Sequence, residues 1–169
     1  LAAGDMDYIA ALGAQQQRAG AQALDVNVGM PGIDEKKALT RAVEALQETC
    51  DLPLCIDSGD PAALESALRA CAGVPLINSV SGTQASLAAV LPLAKKYACA
   101  LIALPMDEAG VPSTARGRLN IARRILSEAQ KLGIEKEALL FDGLTMPVSA
   151  QSDAGRVTLV RRRGGEVED

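Results

Sequence analysis

The chain has 169 residues, of which 49% are apolar and only three are aromatic, so any core must be aliphatic. This length fits one domain. The formal net charge of −4 offers no basic surface for nucleic acid, and the 22% of charged residues excludes a disordered polyelectrolyte. Histidine is absent, which excludes Ser–His and Cys–His nucleophile pairs and every zinc site that uses imidazole. Acid–base chemistry would fall to carboxylates, amides, thiols or lysines.

The four cysteines do not form a CxxC pair, and we predict that they are buried, reduced thiols of a cytoplasmic protein. They are Cys50, Cys55, Cys71 and Cys99. The first residues lack the basic cluster and apolar core of a secretory signal. Residues 70–94 are uncharged, but polar residues interrupt them, so we predict no membrane span.

In chain order, five short apolar runs alternate with five helical patterns, which predicts βαβ units. The predicted strands are Ala23–Val28, Pro53–Asp57, Val74–Asn78, Ala100–Pro105 and Ala138–Phe141. The predicted helices cover residues 5–19, 34–49, 61–72, 84–97 and 114–132. Because the strand runs are continuously apolar, we expect a parallel sheet that is covered on both faces.

Local signals support these boundaries. Asp60 precedes Pro61 in the pattern of an N-cap followed by proline at the first helical position. The fifth helix has an apolar stripe that we expect to be buried: Leu119, Ala122, Ile125, Leu126 and Ala129. Its basic residues are expected in solvent: Arg118, Arg123, Arg124 and Lys131.

Each predicted strand ends in aspartate or asparagine, at intervals that average about 29 residues, close to the ~31 residues per unit of a (β/α)₈ barrel. The residues are Asp25, Asn27, Asp57, Asn78, Asp107 and Asp142. Five units are too few for a closed barrel of this kind. The spacing therefore leaves two architectures open, an open doubly wound sheet of five strands or a barrel cut at both ends.

The polar strand ends predict a ligand pocket, because the carboxyl ends of parallel strands lie along one edge of the sheet. Any single aspartate or asparagine there is also an ordinary turn residue. Together they offer several acceptors and no fixed cation, which suits a neutral ring rich in donors. A 2-amino-4-oxopyrimidine fits, because its amino group and ring N–H can donate in parallel to one carboxylate.

Five segments strongly resemble the pterin-binding domain of cobalamin-dependent methyltransferases, in particular those of the methionine synthase type. They are LDVNVGMPGIDE, LPLCIDS, PLINSVSG, ALIALPMDEAGVPSTARGR and LLFDGLTMPVSAQ. The resemblance covers residues 1–155 and implies an α/β fold, a (β/α)₈ barrel present here as about five consecutive parallel βα units. Residues 156–169 are expected to be a charged tail, truncated or disordered, whose arginine run is solvated.

The resemblance also implies roles for individual residues. Asp57, Asn78 and Asp142 match positions that hydrogen-bond the pterin ring, and we expect the Asp142 carboxylate at the pocket floor. Asn27 matches a pocket residue near the ring, and Asp107 lies at the rim. The family's catalytic asparagine belongs to a seventh strand that this chain lacks. No catalytic residue is therefore assigned, and this fragment alone is expected to be inactive.

The implied reaction is methyl transfer from methyltetrahydrofolate to cob(I)alamin on a partner domain or subunit, a half-reaction of methionine biosynthesis. No metal site is expected, and a homodimer stays open. One alternative is a methyltetrahydrofolate:corrinoid/iron–sulfur protein methyltransferase. Others are a non-catalytic pterin-binding fragment and an unrelated doubly wound binding domain. Dinucleotide and P-loop motifs are absent. The segment after Asn27 lacks the arginine that a dihydropteroate synthase would need.

Overall fold

The structure, a computed structural model, describes residues 5–145, in which five strands and five α-helices alternate. The helices are α1 (Met6–Arg18), α2 (Glu35–Gln47), α3 (Pro61–Ala70), α4 (Gln84–Tyr97) and α5 (Ala115–Lys131). The strands are β1 (Leu24–Val26), β2 (Leu54–Asp57), β3 (Leu76–Ser81), β4 (Ala100–Leu104) and β5 (Leu139–Phe141). A short 3₁₀ helix, Lys136–Ala138, precedes β5 and was not predicted.

The strands form one sheet in the order β1-β2-β3-β4-β5, and β2 pairs in parallel with both β1 and β3. This sequential order decides between the two architectures that the spacing left open. In a doubly wound sheet the order of the strands reverses at a switch point. In a (β/α)₈ barrel, consecutive strands are neighbours around the sheet. The fold is therefore α/β, with five consecutive parallel βα units, as the sequence predicts.

The first of two compact units runs to Ser79 and includes Leu93–Leu101. Its core is aliphatic, as the composition requires, and its largest fully buried side chains include Leu39, Ile56 and Leu64. Helix α2 begins after Asp34, whose carboxylate accepts from the Lys37 N–H at 3.1 Å. Capping of this kind satisfies an N–H that has no partner inside the helix.

The second unit consists of Val80–Pro92 and the residues from Ile102 onward. Thr114 caps α5 by accepting from the Gly117 N–H at 3.1 Å. The buried side of α5 is rotated from the predicted stripe and contains Arg118, Ile121, Ile125 and Ala129. The prediction that Arg118 is solvated is therefore wrong: the side chain is buried because its guanidinium bonds backbone carbonyls.

The expectation that both faces of the strands are covered is correct only for β2, in which Leu54, Cys55 and Ile56 are all buried. Burial alternates along β1, where Leu24 and Val26 are buried but Asp25 is exposed, and it alternates similarly along β4. Successive side chains of a strand point to opposite faces, so β1 has one buried and one open face, whereas the second face of β4 is half-buried. A continuous apolar run cannot distinguish the two cases.

The remaining sequence predictions have mixed outcomes. All four cysteines are free, and three are buried as expected, but Cys71 is only half-buried. Within residues 5–145 there is no helix long and apolar enough to cross a membrane. The predicted charged tail, residues 156–169, lies outside the described residues.

Candidate functional site

The register of the first unit aligns polar residues at the ends of β1 and β2 with a polar residue inside β3. Asp57 pairs with Asn78 across the β2–β3 ladder. Val26 pairs with Ile56, so Asn27, one residue further along, lies beside Asp57. Neighbouring strands are about 4.8 Å apart, so Asp57 lies between Asn27 on one neighbouring strand and Asn78 on the other. The sequence predicts that these residues lie side by side, but it places the end of the third strand at Asn78, whereas β3 continues to Ser81.

Asn27 is fixed by hydrogen bonds at both ends of its amide. Its Oδ1 accepts from the Gly29 N–H at 2.9 Å, and its Nδ2 donates to Asp57 Oδ2 at 2.8 Å. A backbone N–H can only donate and a carboxylate can only accept. The orientation of the Asn27 amide is thus set chemically, and the Asp57 carboxylate is held by a donor beside it.

Asn78 is oriented in the same way by Asp25. This residue is one of the predicted strand-end residues, but it was not predicted to bind the pterin ring. Asn78 Nδ2 donates to Asp25 Oδ1 at 3.2 Å. The signal was present in the spacing, because residues two apart on a strand share a face and Asp25 and Asn27 are two apart. We call Asp25, Asn27, Asp57 and Asn78 the Asp–Asn cluster.

The thiol of Cys55 lies next to Asp25 of this cluster and is expected to be unreactive. Burial raises the pKa of Cys55 far above its ordinary value, and a hydrogen bond to the Asp25 carboxylate raises it further. The thiol therefore stays protonated at neutral pH and is not a nucleophile.

The loop that follows Asp57 is tied to the start of α2. Ser58 is buried, its hydroxyl donates to Glu35 Oε1 at 2.5 Å, and it accepts from the Asp60 N–H at 3.0 Å. The backbone N–H of Ser58 also donates to the Asn78 carbonyl at 3.2 Å. These bonds hold rigidly the segment that carries Asp57.

A groove of about 150 Å³ runs beside β1 in the same unit. Apolar side chains of α1, including Ile9 and Leu12, form one wall, and Asp25 and Asn27 contribute polar groups to it. The cluster therefore lies beside a partly apolar depression, a combination typical of small-molecule sites.

Asp107 belongs to the second unit and forms a tight turn. Its Oδ1 accepts from the Ala109 N–H at 3.0 Å, and its backbone exchanges two hydrogen bonds with Gly110. Arg124 Nη2 lies 3.8 Å from its other carboxylate oxygen. These contacts are those of a turn residue, and its predicted place at a pocket rim stays a prediction.

Asp142 also belongs to the second unit, and its backbone N–H donates to the Ala103 carbonyl at 3.1 Å. The side chain is exposed, which corrects the expectation that it is shielded from solvent at a pocket floor. Its Oδ1 accepts from the Leu144 N–H at 2.8 Å, so one oxygen closes a turn. The structure does not test whether the carboxylate binds a ligand.

The sequence matches the family described as pterin binding enzymes over residues 1–162. The chain belongs to the pterin-binding enzyme family. This assignment confirms the family resemblance that the strand-end motifs indicate.

Two curated members of the family illustrate how its chains differ in length. The chain is 31% identical to the methylcorrinoid:tetrahydrofolate methyltransferase of Eubacterium limosum over 139 residues, which are 81% of this chain and 51% of that protein. It is 30% identical to the methionine synthase of Mycobacterium tuberculosis over 150 residues, 83% of this chain and 12% of that protein. The chain thus spans about half of the first relative and a small part of the second.

Among solved structures, the 7,8-dihydropteroate synthase from Vibrio fischeri ES114 shares the fold, with a TM-score of 0.64 and 20% sequence identity. The match covers 81% of this chain and 55% of that one. At this identity the likeness supports the fold alone and carries no conclusion about the ligand or the reaction.

Proposed function

We propose that the chain binds the pterin ring of methyltetrahydrofolate through the Asp–Asn cluster. The methyl group of the bound folate then passes to cob(I)alamin on a partner domain or subunit. The observation that carries the proposal is the arrangement of two carboxylates and two amides whose orientations are set by their mutual hydrogen bonds at 2.8 and 3.2 Å.

The hydrogen bonds within the cluster leave acceptors for the donors of an aminopyrimidinone ring. Asn27 donates to Oδ2 of Asp57, which leaves Oδ1 to accept from one donor of the ring. Oδ2 has a second lone pair and can accept from another ring donor. Asn78 turns its Nδ2 toward Asp25, which leaves its Oδ1 to accept from a ring N–H. A carboxylate that receives two parallel N–H bonds forms the strong bidentate pair that also joins carboxylate and guanidinium.

The proposed reaction needs few groups from this chain. A methyl group on a tertiary amine leaves poorly, so a donor to that nitrogen in the transition state accelerates transfer. Cob(I)alamin would supply the nucleophile that takes the methyl group. The present residues bind and orient the folate, and Asp142 joins them on the resemblance of LLFDG alone.

A second candidate is methyl exchange with a corrinoid protein. The relative from Eubacterium limosum, at 31% identity, favours it, since its name describes transfer between a methylcorrinoid and tetrahydrofolate. Both candidates use the same folate-binding cluster. They differ in the partner that carries the corrinoid.

Titration with (6S)-5-methyltetrahydrofolate tests the proposal. Replacing Asp57 by alanine removes both ring acceptors, and we expect affinity to fall at least about tenfold, the value of a hydrogen bond to a charged group. Asp51→Ala is the matched control, because Asp51 is an exposed residue that precedes β2. Binding of the Asp57→Ala protein within about threefold of the parent would contradict the assignment.

A further inference from the structure

Arg118 is a buried charged residue of the second unit. It lies on α5 with only 5% of its surface exposed. A buried charge is costly unless hydrogen bonds replace its hydration. Its neighbours on the same helix, Arg123 and Arg124, are exposed. Burial of the Arg118 side chain therefore depends on hydrogen bonds from its guanidinium to neighbouring loops.

The guanidinium of Arg118 joins two loops through backbone carbonyls. Its Nε donates to the Pro112 carbonyl at 3.0 Å, in the loop before α5. Its Nη1 donates to the carbonyls of Gly143 at 2.8 Å and of Leu144 at 3.0 Å. The second loop follows β5 and begins with Asp142. A planar fork of donors suits such paired acceptors better than an ammonium group does.

The loop held by Arg118 has an unfavourable backbone conformation. Leu144 has a φ of 51°, in the left-handed region that residues other than glycine rarely adopt. The Asp142 carboxylate accepts from the Leu144 N–H in this turn. The bonds from Arg118 to the two carbonyls offset the strain, and the same turn fixes the direction of the Asp142 carboxylate.

We propose that Arg118 is a positioning residue for folate binding: it holds the Asp142 loop so that one carboxylate oxygen closes the turn and the other faces the ligand. This inference rests on the proposed function, because it assigns Asp142 to the pterin ring. Arg118 itself is not expected to touch the ligand.

A double-mutant cycle on the full chain separates positioning from a general structural role. We expect Arg118→Lys to weaken 5-methyltetrahydrofolate binding about tenfold, as the loss of one hydrogen bond to a charged donor predicts. In the Asp142→Ala background the same replacement should change affinity by less than about twofold. Arg123→Lys, on the exposed side of α5, is the control. An equal loss in both backgrounds would overturn the proposal.

A second measurement, hydrogen exchange of the Leu144 amide, needs no ligand for its first arm. Exchange should be slow in the parent and faster in Arg118→Lys, but unchanged in Arg123→Lys. In the parent, 5-methyltetrahydrofolate should slow exchange at Leu144 further. Fast exchange in the ligand-free parent would refute the positioning of the loop. A protected amide in a parent that does not bind the folate would refute the proposed function instead.

Discussion

At the scale of single residues, the orientations of two amides determine what the site offers to a ligand. Asn27 is turned by the Gly29 N–H so that its donor faces Asp57, and Asn78 is turned by the Asp25 carboxylate. The residue types were visible in the sequence, but their orientations were not, because these depend on contacts between strands. The sequence predicts Asn27, Asp57 and Asn78 as pterin-binding residues, whereas it marks Asp25 only as a strand-end residue.

Thiol reactivity tests the environments of individual residues. Burial raises the pKa of Cys99 to about 11, and burial together with Asp25 raises that of Cys55 further. At pH 8 a thiol of pKa 11 is ionised in only about one molecule in a thousand. We expect iodoacetamide to modify the half-buried Cys71 first and slowly, and Cys55 and Cys99 only after unfolding, as read by peptide mass spectrometry. Modification of native Cys55 as fast as Cys71 would contradict this environment.

At the scale of elements, local chemistry predicts the helices well. Asp60 caps α3 by accepting from the Ala62 N–H at 2.9 Å, and Pro61 opens the helix, as the dipeptide predicts. The buried side of α5 was predicted less well. Periodicity identifies an apolar stripe, but it cannot foresee that loop carbonyls draw the guanidinium of Arg118 inward.

Gly82 provides a stability prediction at this scale. Its N–H donates to the Met106 carbonyl at 2.8 Å, and a Cβ at this position would lie 3.0 Å from the same carbonyl oxygen and even closer to Ile121. We expect Gly82→Ala to lower the free energy of unfolding by about 1–3 kcal/mol, the usual cost of overpacking. Urea denaturation measures it.

The matched control for Gly82→Ala is Gly59→Ala. A Cβ at residue 59 meets no atom within 4 Å, so this change should be neutral or slightly stabilising through the unfolded chain. Equal effects of the two replacements would show that close packing at Gly82 does not matter.

Glu65 links α3 to α4 and predicts a pH dependence. Its Oε1 accepts from Lys96 Nζ at 2.7 Å, and Arg69 and Tyr97 also donate to it. The Lys96 hydrogen bond, most of all, lowers the pKa of Glu65 below its usual value. A carboxylate with a lowered pKa stabilises the fold above its unfolded pKa, and this contribution disappears as pH falls through the folded pKa.

We therefore expect Glu65→Gln to lower the melting temperature at pH 7 and to match the parent once the carboxylate is protonated in acid. Glu48→Gln, at the exposed end of α2, is the control, and its melting temperature should stay close to that of the parent. Thermal melts from pH 7 to pH 2 provide the comparison. A constant difference between Glu65→Gln and the parent at every pH would argue against the charged network.

At the scale of the whole molecule, the order of strands followed from the regular alternation of apolar runs and helices. The even spacing predicted consecutive βα units, and the sheet order confirms them. The exposure of single strand faces could not be predicted, because an apolar run looks the same whether one face or both are covered. The family was recognisable only from several strand-end motifs together, since LDVN or LCIDS alone is a common turn sequence.

The predicted site residues of the first unit and those of the second have different outcomes. In the first, Asn27 and Asp57 are hydrogen-bonded, and the register pairs Asp57 with Asn78. In the second, Asp107 and Asp142 make turn contacts that a strand-end aspartate makes with or without a ligand. Their roles in binding stay predictions, as does the inactivity expected of this chain alone.

The side-chain amide signals of the ¹⁵N-labelled chain test the central claim most directly. We expect saturation with 5-methyltetrahydrofolate to shift the signals of Asn27 and Asn78. The amide of Gln47, which bonds Ala70 and Ala72 near the end of α3, should not move. Saturable binding that leaves Asn27 and Asn78 unmoved would contradict the Asp–Asn cluster as the pterin site. No saturable binding at about 1 mM folate would contradict the proposed function.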